Sequence, residues 1–275
     1  MIAPGWVGQA FRLLPPVWAA LLAFSVASPA QDLLSVTSPN GQLQFRAFIA
    51  TPSKGAPDRL AYQVLHNGKP FLDTSFLAFE IREQTPLGEK LGLIAHSSST
   101  TARYHSFTAE YMQNGTTGRR LTLEVRAYDD AVAFRMLIPK TSLLEEIFIQ
   151  QEDTEFHFAA DVETFPVLLS GFEAPPKEPG SIQLSRISPD SLIATPLLAH
   201  QPGIGWISIS QEGASGYPRL FLNRSEDTTL IAVLPPLPNH PSWALNTTTP
   251  LVCPWRVVRI GPSRESVSSP QNLNP

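Results

Sequence analysis

The chain has 275 residues, a formal charge of −4, 43% hydrophobic and 16% charged residues, and 27 prolines. This describes a globular, turn-rich protein and speaks against a helical bundle. It also speaks against nucleic acid as a partner, because phosphate binding needs a concentrated basic surface and no Lys/Arg-rich block appears. A single cysteine, Cys253, rules out an intrachain disulfide and a thiolate metal site.

Residues 1–30 have the pattern of an export signal. Arg12 supplies the one positive charge, Val17 to Val26 form a short apolar core, and Ser28-Pro29-Ala30 place small residues before a cut after Ala30. The apolar run is too short to span a bilayer comfortably, so the expectation is an exported, periplasmic or extracellular protein with no membrane segment in its mature form. From there the chain alternates. Leu43, Phe45, Ala47 and Ile49 interleave with Gln44 and Arg46 and predict a strand. Ala61 to Leu65 predicts a second, and His66-Asn67-Gly68-Lys69 is a hairpin turn of the Asn-Gly type. Phe71 and Leu72 begin the return, and Phe76 to Ile81 predicts a further strand. From Leu91 to Met112 the pattern weakens, with Ser97 to Thr101 a polar interruption.

Gly118 to Pro139 is the most legible stretch. Leu121, Leu123, Val125 and Ala127 fall on odd positions, then Val132, Phe134, Met136 and Ile138 on even ones. Two period-2 runs joined through Asp129-Asp130 predict a β-hairpin with one buried face. Arg126 and Arg135 flank the turn and are expected to pair with Asp129 or Asp130. Short strands follow at Ile147 to Gln150 and Thr154 to Phe158. Pro166 to Ile193 predicts a long irregular excursion. Further strands are expected at Trp206 to Ser210, Arg219 to Leu222, Thr229 to Leu234 and Trp255 to Ile260. That makes about twelve to sixteen strands and no sustained helical period, which fits an all-β, two-sheet sandwich as one domain over 33–261. Residues 262–275, rich in Ser, Pro and Asn, have the composition of a linker.

RAYDDAVAFRM (Arg126–Met136), TEFHF (Thr154–Phe158), ISISQEGASGYPRLFL (Ile207–Leu222), PWRVVRIG (Pro254–Gly261) and the closing NLNP (Asn272–Pro275) occur in this order. Together they resemble the N-terminal domain of glycoside hydrolase family 97, exported α-glucosidases and α-galactosidases. The resemblance implies a large two-sheet β-super-sandwich of the galactose mutarotase type. It also implies that residues 262–275 would lead to a catalytic (β/α)8 barrel, the partner that carries the catalytic carboxylates. Carbohydrate, as α-glucan or α-galactoside, is then the implied ligand. This domain would supply one calcium-ligand glutamate, here Glu212, to a site shared with the barrel, and would be inactive alone. Two departures stand out. Ala131 follows the Asp pair where the family usually has Gly, and Glu212 lies five residues before Tyr217 where the family usually has six.

The residues themselves leave several readings open. Glu212 precedes Gly213-Ala-Ser-Gly216 and could equally be a solvated loop carboxylate. One carboxylate cannot hold Ca²⁺, which takes 6–8 oxygen ligands. Tyr217 and Trp206 could line a sugar pocket or simply pack, and Trp243 and Trp255 are in the same position. Glycoside hydrolysis needs two carboxyl groups about 5–10 Å apart. Glu145-Glu146 and Glu152-Asp153 are adjacent on strands and point to opposite faces, so no catalytic residue is assigned. His105, His157 and His200 are the histidines open to a mutarotase-like acid–base role. A free-standing carbohydrate-binding sandwich is the reading from another class.

Overall fold

The computed structural model describes Met1 and residues 33–116, 118–213 and 216–268. The export signal and the NLNP motif therefore lie outside the described residues. The first strands are β1 (Leu34–Thr37), β2 (Leu43–Ala50), β3 (Arg59–His66), β4 (Lys69–Ile81), β5 (Leu91–Thr100) and β6 (Tyr104–Gln113). Next come β7 (Arg120–Tyr128), β8 (Ala131–Ile138), β9 (Glu146–His157), β10 (Glu163–Phe165), β11 (Leu168–Leu169), β12 (Ile182–Gln183) and β13 (Leu192–Ala194). The series closes with β14 (Leu197–Gln201), β15 (Gly205–Glu212), β16 (Phe221–Arg224), β17 (Thr229–Val233), β18 (Leu245–Thr248), β19 (Leu251–Val252), β20 (Trp255–Gly261) and the helix α1 (Arg264–Ser268).

Two 10-stranded sheets result. The first runs β1-β2-β3-β4-β9-β17-β16-β13-β11, with β18 also on β9. The second runs β12-β10-β14-β15-β20-β8-β7-β6-β5, with β19 also on β8. Every ladder is antiparallel, as expected for strands joined by hairpins and short returns. The two-sheet sandwich expected from the alternation is what forms. Its core contains a chain of rings from both sheets. Phe45 stacks on Tyr62 at 5.1 Å, Tyr62 meets Phe134 at 4.7 Å, and Phe134 reaches Phe156 at 6.2 Å. Tyr62 is fully buried, and its hydroxyl donates to the Glu155 carbonyl at 2.6 Å, so its polar end is satisfied.

The central hairpin forms as expected. Leu121, Leu123, Val125 and Ala127 on β7, and Val132, Phe134, Met136 and Ile138 on β8, are buried. Ala131, which stands where the family usually has Gly, begins β8 and has no positive φ. The pairing of Arg135 differs. Arg135 lies directly across from Glu124 and binds it at 2.6 Å, because cross-strand neighbours are nearer than the turn. Asp129 instead accepts the Asn40 backbone N–H at 2.8 Å, tying the hairpin turn to the β1–β2 turn. The Asn67-Gly68 turn forms with φ of 50° and 77°, the left-handed pair that a two-residue hairpin requires.

Four other readings change. Phe71–Leu72 and Phe76–Ile81 belong to one strand, β4. The segments at Ile147 and Thr154 are likewise one strand, β9, with a register shift against β4 at Glu80/Ile81. That bulge reverses the phase, so Ile147 and Ile149 are buried before it and Glu152, Thr154 and Phe156 after it. The apparent interruption at Ser97 is the exposed part of β5, an edge strand whose residues 94–100 all face solvent. Such an edge is kept polar because apolar side chains there would invite pairing with another chain. Finally, the supposed linker begins inside the fold. Helix α1 packs on β15 and β20, and Val267 is buried. Gly261 makes this possible, since a Cβ there would meet Ser266 Oγ at 2.1 Å.

Candidate functional site

On β15 the side chains of Ile207 and Ile209 enter the core, and Ser208, Ser210 and Glu212 take the opposite face. Across the β15–β20 ladder, Ser208 sits opposite Arg259, Ser210 opposite Val257 and Glu212 opposite Trp255. Arg259 Nη2 donates to Glu212 Oε1 at 3.0 Å. Burial pulls the Arg259 guanidinium below its ordinary value, and the charges of Glu212 and Asp130 oppose that pull. Ser208, Ser210, Glu212 and Arg259 line an open depression of about 250 Å³, walled on one side by Val267 and Ser268 of α1. Ser208 Oγ donates to the Val267 carbonyl at 2.8 Å, which fixes the helix against the strand.

Directly behind this depression, on the core side, lies an ion pair that spans the two sheets. Glu152 on β9 and Arg256 on β20 are 1% exposed each. Arg256 Nε donates to Glu152 Oε1 at 2.8 Å and Nη2 to Oε2 at 2.5 Å, a bidentate fork. The remaining lone pairs are also used. Thr154 Oγ1 donates to Oε1 at 2.7 Å and Tyr217 Oη to Oε2 at 2.6 Å. Arg256 Nη1 donates to Gln211 Oε1 at 2.6 Å, and Gln211 Nε2 to the Pro218 carbonyl at 3.2 Å. Burial acts to raise the Glu152 pKa, but the Arg256 charge and the donated hydrogen bonds outweigh it and hold the carboxyl below its ordinary value. For Arg256 burial acts to lower the value, and Glu152 reverses it. Cys253, also buried, has its thiol raised by burial and by the Glu152 charge, which suits an unreactive thiol.

The sequence reading placed no weight on this pair, since its partners stand 104 residues apart. A signal was present in the phase. Arg256 lies in step with Val258 on β20, and Glu152 with Phe156 on β9, so each charge occupies a core position.

The other candidates are dispersed. Trp206 lies on the outer face of β15, roughly 20 Å along the strand from Glu212 at about 3.3 Å per residue. There it meets Phe165 at 5.1 Å and His200 at 5.4 Å, and Arg264 covers Phe165 at 5.4 Å. Trp243 packs between Phe148 and His240. Trp255 lies under Arg126 at 4.6 Å and Arg135 at 4.3 Å. His157 belongs to the first sheet, and His105 and His200 sit five strands apart in the second, roughly 24 Å at about 4.8 Å per strand. The three do not form one acid–base site. Glu152 and Asp153 do face opposite ways, and Glu152 is bound to Arg256 rather than aimed at a cleft. No group of three or more His, Cys, Asp or Glu side chains that could hold a metal occurs among the described residues. Among the described residues Glu212 is the acidic side chain lining this depression, and it faces the Arg259 guanidinium; a single carboxylate falls short of the 6–8 oxygens that Ca²⁺ takes. No helix of the described residues is long and apolar enough to cross a membrane.

Comparison with known proteins gives one family. A model described as Glycosyl-hydrolase 97 N-terminal matches residues 36–273. Among solved structures, a Glycoside Hydrolase Family 97 enzyme from Pseudoalteromonas sp. strain K8, in complex with acarbose, superposes with a TM-score of 0.69 at 20% identity. The match covers 83% of this chain and 35% of that one. A beta-arabinopyranosidase gives a TM-score of 0.69 at 21% identity, over 84% of this chain and 40% of that one. At such identities the likeness establishes the fold. The chain spans well under half the length of these structures. No curated protein matches the sequence.

Proposed function

Because this chain belongs to the Glycosyl-hydrolase 97 N-terminal family, we propose that it is the accessory domain of an exported glycoside hydrolase acting on α-glucosides or α-galactosides. It supplies Glu212 to a calcium site completed by carboxylates of a catalytic barrel, shapes the sugar pocket, and is inactive alone. The observation that carries this reading is the placement of Glu212. It ends β15 on the outer face of the second sheet, and α1 lies over the same two strands. Chain continuing past Ser268 would therefore start at the wall of the Glu212 depression. Calcium bound there would supply a fixed positive charge to the site. Glu212 contributes one oxygen, and Arg259 holds that carboxylate in place.

The test is isothermal titration of this chain with maltose or melibiose, with and without Ca²⁺. Neither sugar nor metal is expected to bind measurably to the domain alone. Micromolar affinity for a glycan would overturn the reading in favour of a free-standing carbohydrate-binding sandwich. The half-buried Phe165–Trp206–His200 cluster beside Arg264 is the feature that favours that alternative. In a longer protein that carries this domain ahead of a barrel, Glu212→Ala should lower calcium affinity and activity together with the fold intact. Unchanged calcium affinity would remove Glu212 from the ligand set.

A further inference from the structure

β15 ends at Glu212 in the second sheet and β16 begins at Phe221 in the first, and the described residues on either side of this crossing are held by groups from the middle of the core. Gln211, in register opposite Arg256, receives Arg256 Nη1 at 2.6 Å and passes its own amide N–H to the Pro218 carbonyl at 3.2 Å. Tyr217, at the far end, sends its hydroxyl inward to Glu152 Oε2 at 2.6 Å, and its ring lies 5.8 Å from the Arg256 guanidinium. Glu152 itself stands on the opposite sheet, anchored through β9 between β4 and β17. A buried ion pair is a poor source of net stability, because desolvating two charges offsets most of their attraction. Apolar residues would fill the same space. What they could not do is grip two polar side chains from one turn.

We propose that the Glu152–Arg256 pair is a positioning device: with Tyr217 and Gln211 it clamps both ends of the turn that follows Glu212 and so fixes where that carboxylate stands on the outer face of the second sheet. The purpose assigned to the clamp rests on the reading of Glu212 as a metal ligand, but the clamp itself does not. Each arm has a separate task. Glu152 holds the far end through Tyr217, and the third guanidinium nitrogen of Arg256, Nη1, holds the departing end through Gln211. A lysine at 256 would keep the charge and lose the fork.

Hydrogen–deuterium exchange on this chain, without any metal, tests the clamp separately from the calcium reading. Tyr217→Phe removes one hydrogen bond to a charged group and should speed exchange roughly tenfold in peptides covering 211–213 and 217–219. The amides of β7 and β8 should keep their rates. The double variant Glu152→Leu/Arg256→Met, which fills the core with apolar side chains, should keep the wild-type denaturation midpoint or exceed it and still show the same local acceleration. Arg256→Lys should loosen the 211–213 end more than the 217–219 end. Unchanged exchange at both ends in Tyr217→Phe and in the double variant would overturn the proposal. So would an increase spread evenly over the whole domain, which would mean the pair serves stability alone.

Discussion

Glu152 and Asp153 are neighbours on β9, and the strand turns them to opposite faces and opposite fates. Glu152 enters the core, where an arginine fork, a tyrosine and a threonine satisfy its carboxylate and hold its pKa down. Asp153 faces outward over the first sheet, 23% exposed, and is less well served. Its pKa is pushed up to about 7 by burial and by the hydrogen bond and charge of Glu80, with Arg59 at 3.7 Å opposing. The more deeply buried acid is the one whose charge its surroundings favour. Depth therefore does not decide the state of a carboxyl group; the donors around it do.

The comparison breaks most visibly if the partner of the inner acid is left behind. Glu152→Ala would strand the Arg256 guanidinium at 1% exposure without its carboxylate partner. A loss of about 3–5 kcal/mol is expected, a large part of the stability of an ordinary domain. Urea denaturation measures it as a fall in midpoint at unchanged slope. A loss below about 1 kcal/mol would mean that the pair is far better hydrated than its burial implies.

The outer acid predicts the opposite sign. Asp153 has a folded-state value of about 7 against an ordinary value of 3.8. Between these limits the folded chain binds more protons than the unfolded one, so the Asp153–Glu80 pair makes stability fall as pH rises, by at most about 1.4 kcal/mol per unit. Asp153→Asn removes the charge and keeps a hydrogen-bonding group toward Glu80. The variant should be more stable than the parent at pH 8 and equal to it near pH 4. Denaturation midpoints across that range check both limits. A variant less stable than the parent at pH 8 would show that the Arg59 attraction outweighs the repulsion.

Much of this was legible in the chain. Leu121 to Ile138 announced both strands of the central hairpin because strands inside the second sheet turn every second side chain toward the core between the sheets. The order of the motifs indicated the family that the match over residues 36–273 shows. Where the alternation was lost, a specific physical feature had intervened. At β9 it was a bulge that switched the buried face midway, and at β5 it was an edge position where side chains have no face to bury. The position of α1 was hidden for another reason. A single helical turn with one buried residue, Val267, leaves no period to read. The ion pair was hidden because pairing between Glu152 and Arg256 is set by how two sheets stack, and strand-level patterns carry no information about that register.

A milder contrast can be drawn on the outer face of the second sheet, where arginines lie over Trp255. Arg135 is 23% exposed and pairs with Glu124, itself 26% exposed, while its guanidinium lies 4.3 Å from the Trp255 ring centre. Unlike Arg256, it keeps access to water, so removing either partner strands nothing in a dry core. Arg135→Ala should cost about 1 kcal/mol, the sum of a half-exposed ion pair and a surface cation–π contact. Trp255 is covered from above by Arg126 as well, at 4.6 Å, so the ring should stay in place and its fluorescence should shift only slightly. Double-mutant analysis with Glu124→Ala separates the two parts. If Arg135 acts mainly through the carboxylate, the two losses will fail to add. If it acts mainly as a lid on Trp255, they will be additive within about 0.5 kcal/mol. A loss approaching that of Glu152→Ala would remove the distinction between the two faces, because it would make a solvated arginine as costly to lose as the partner of a buried one.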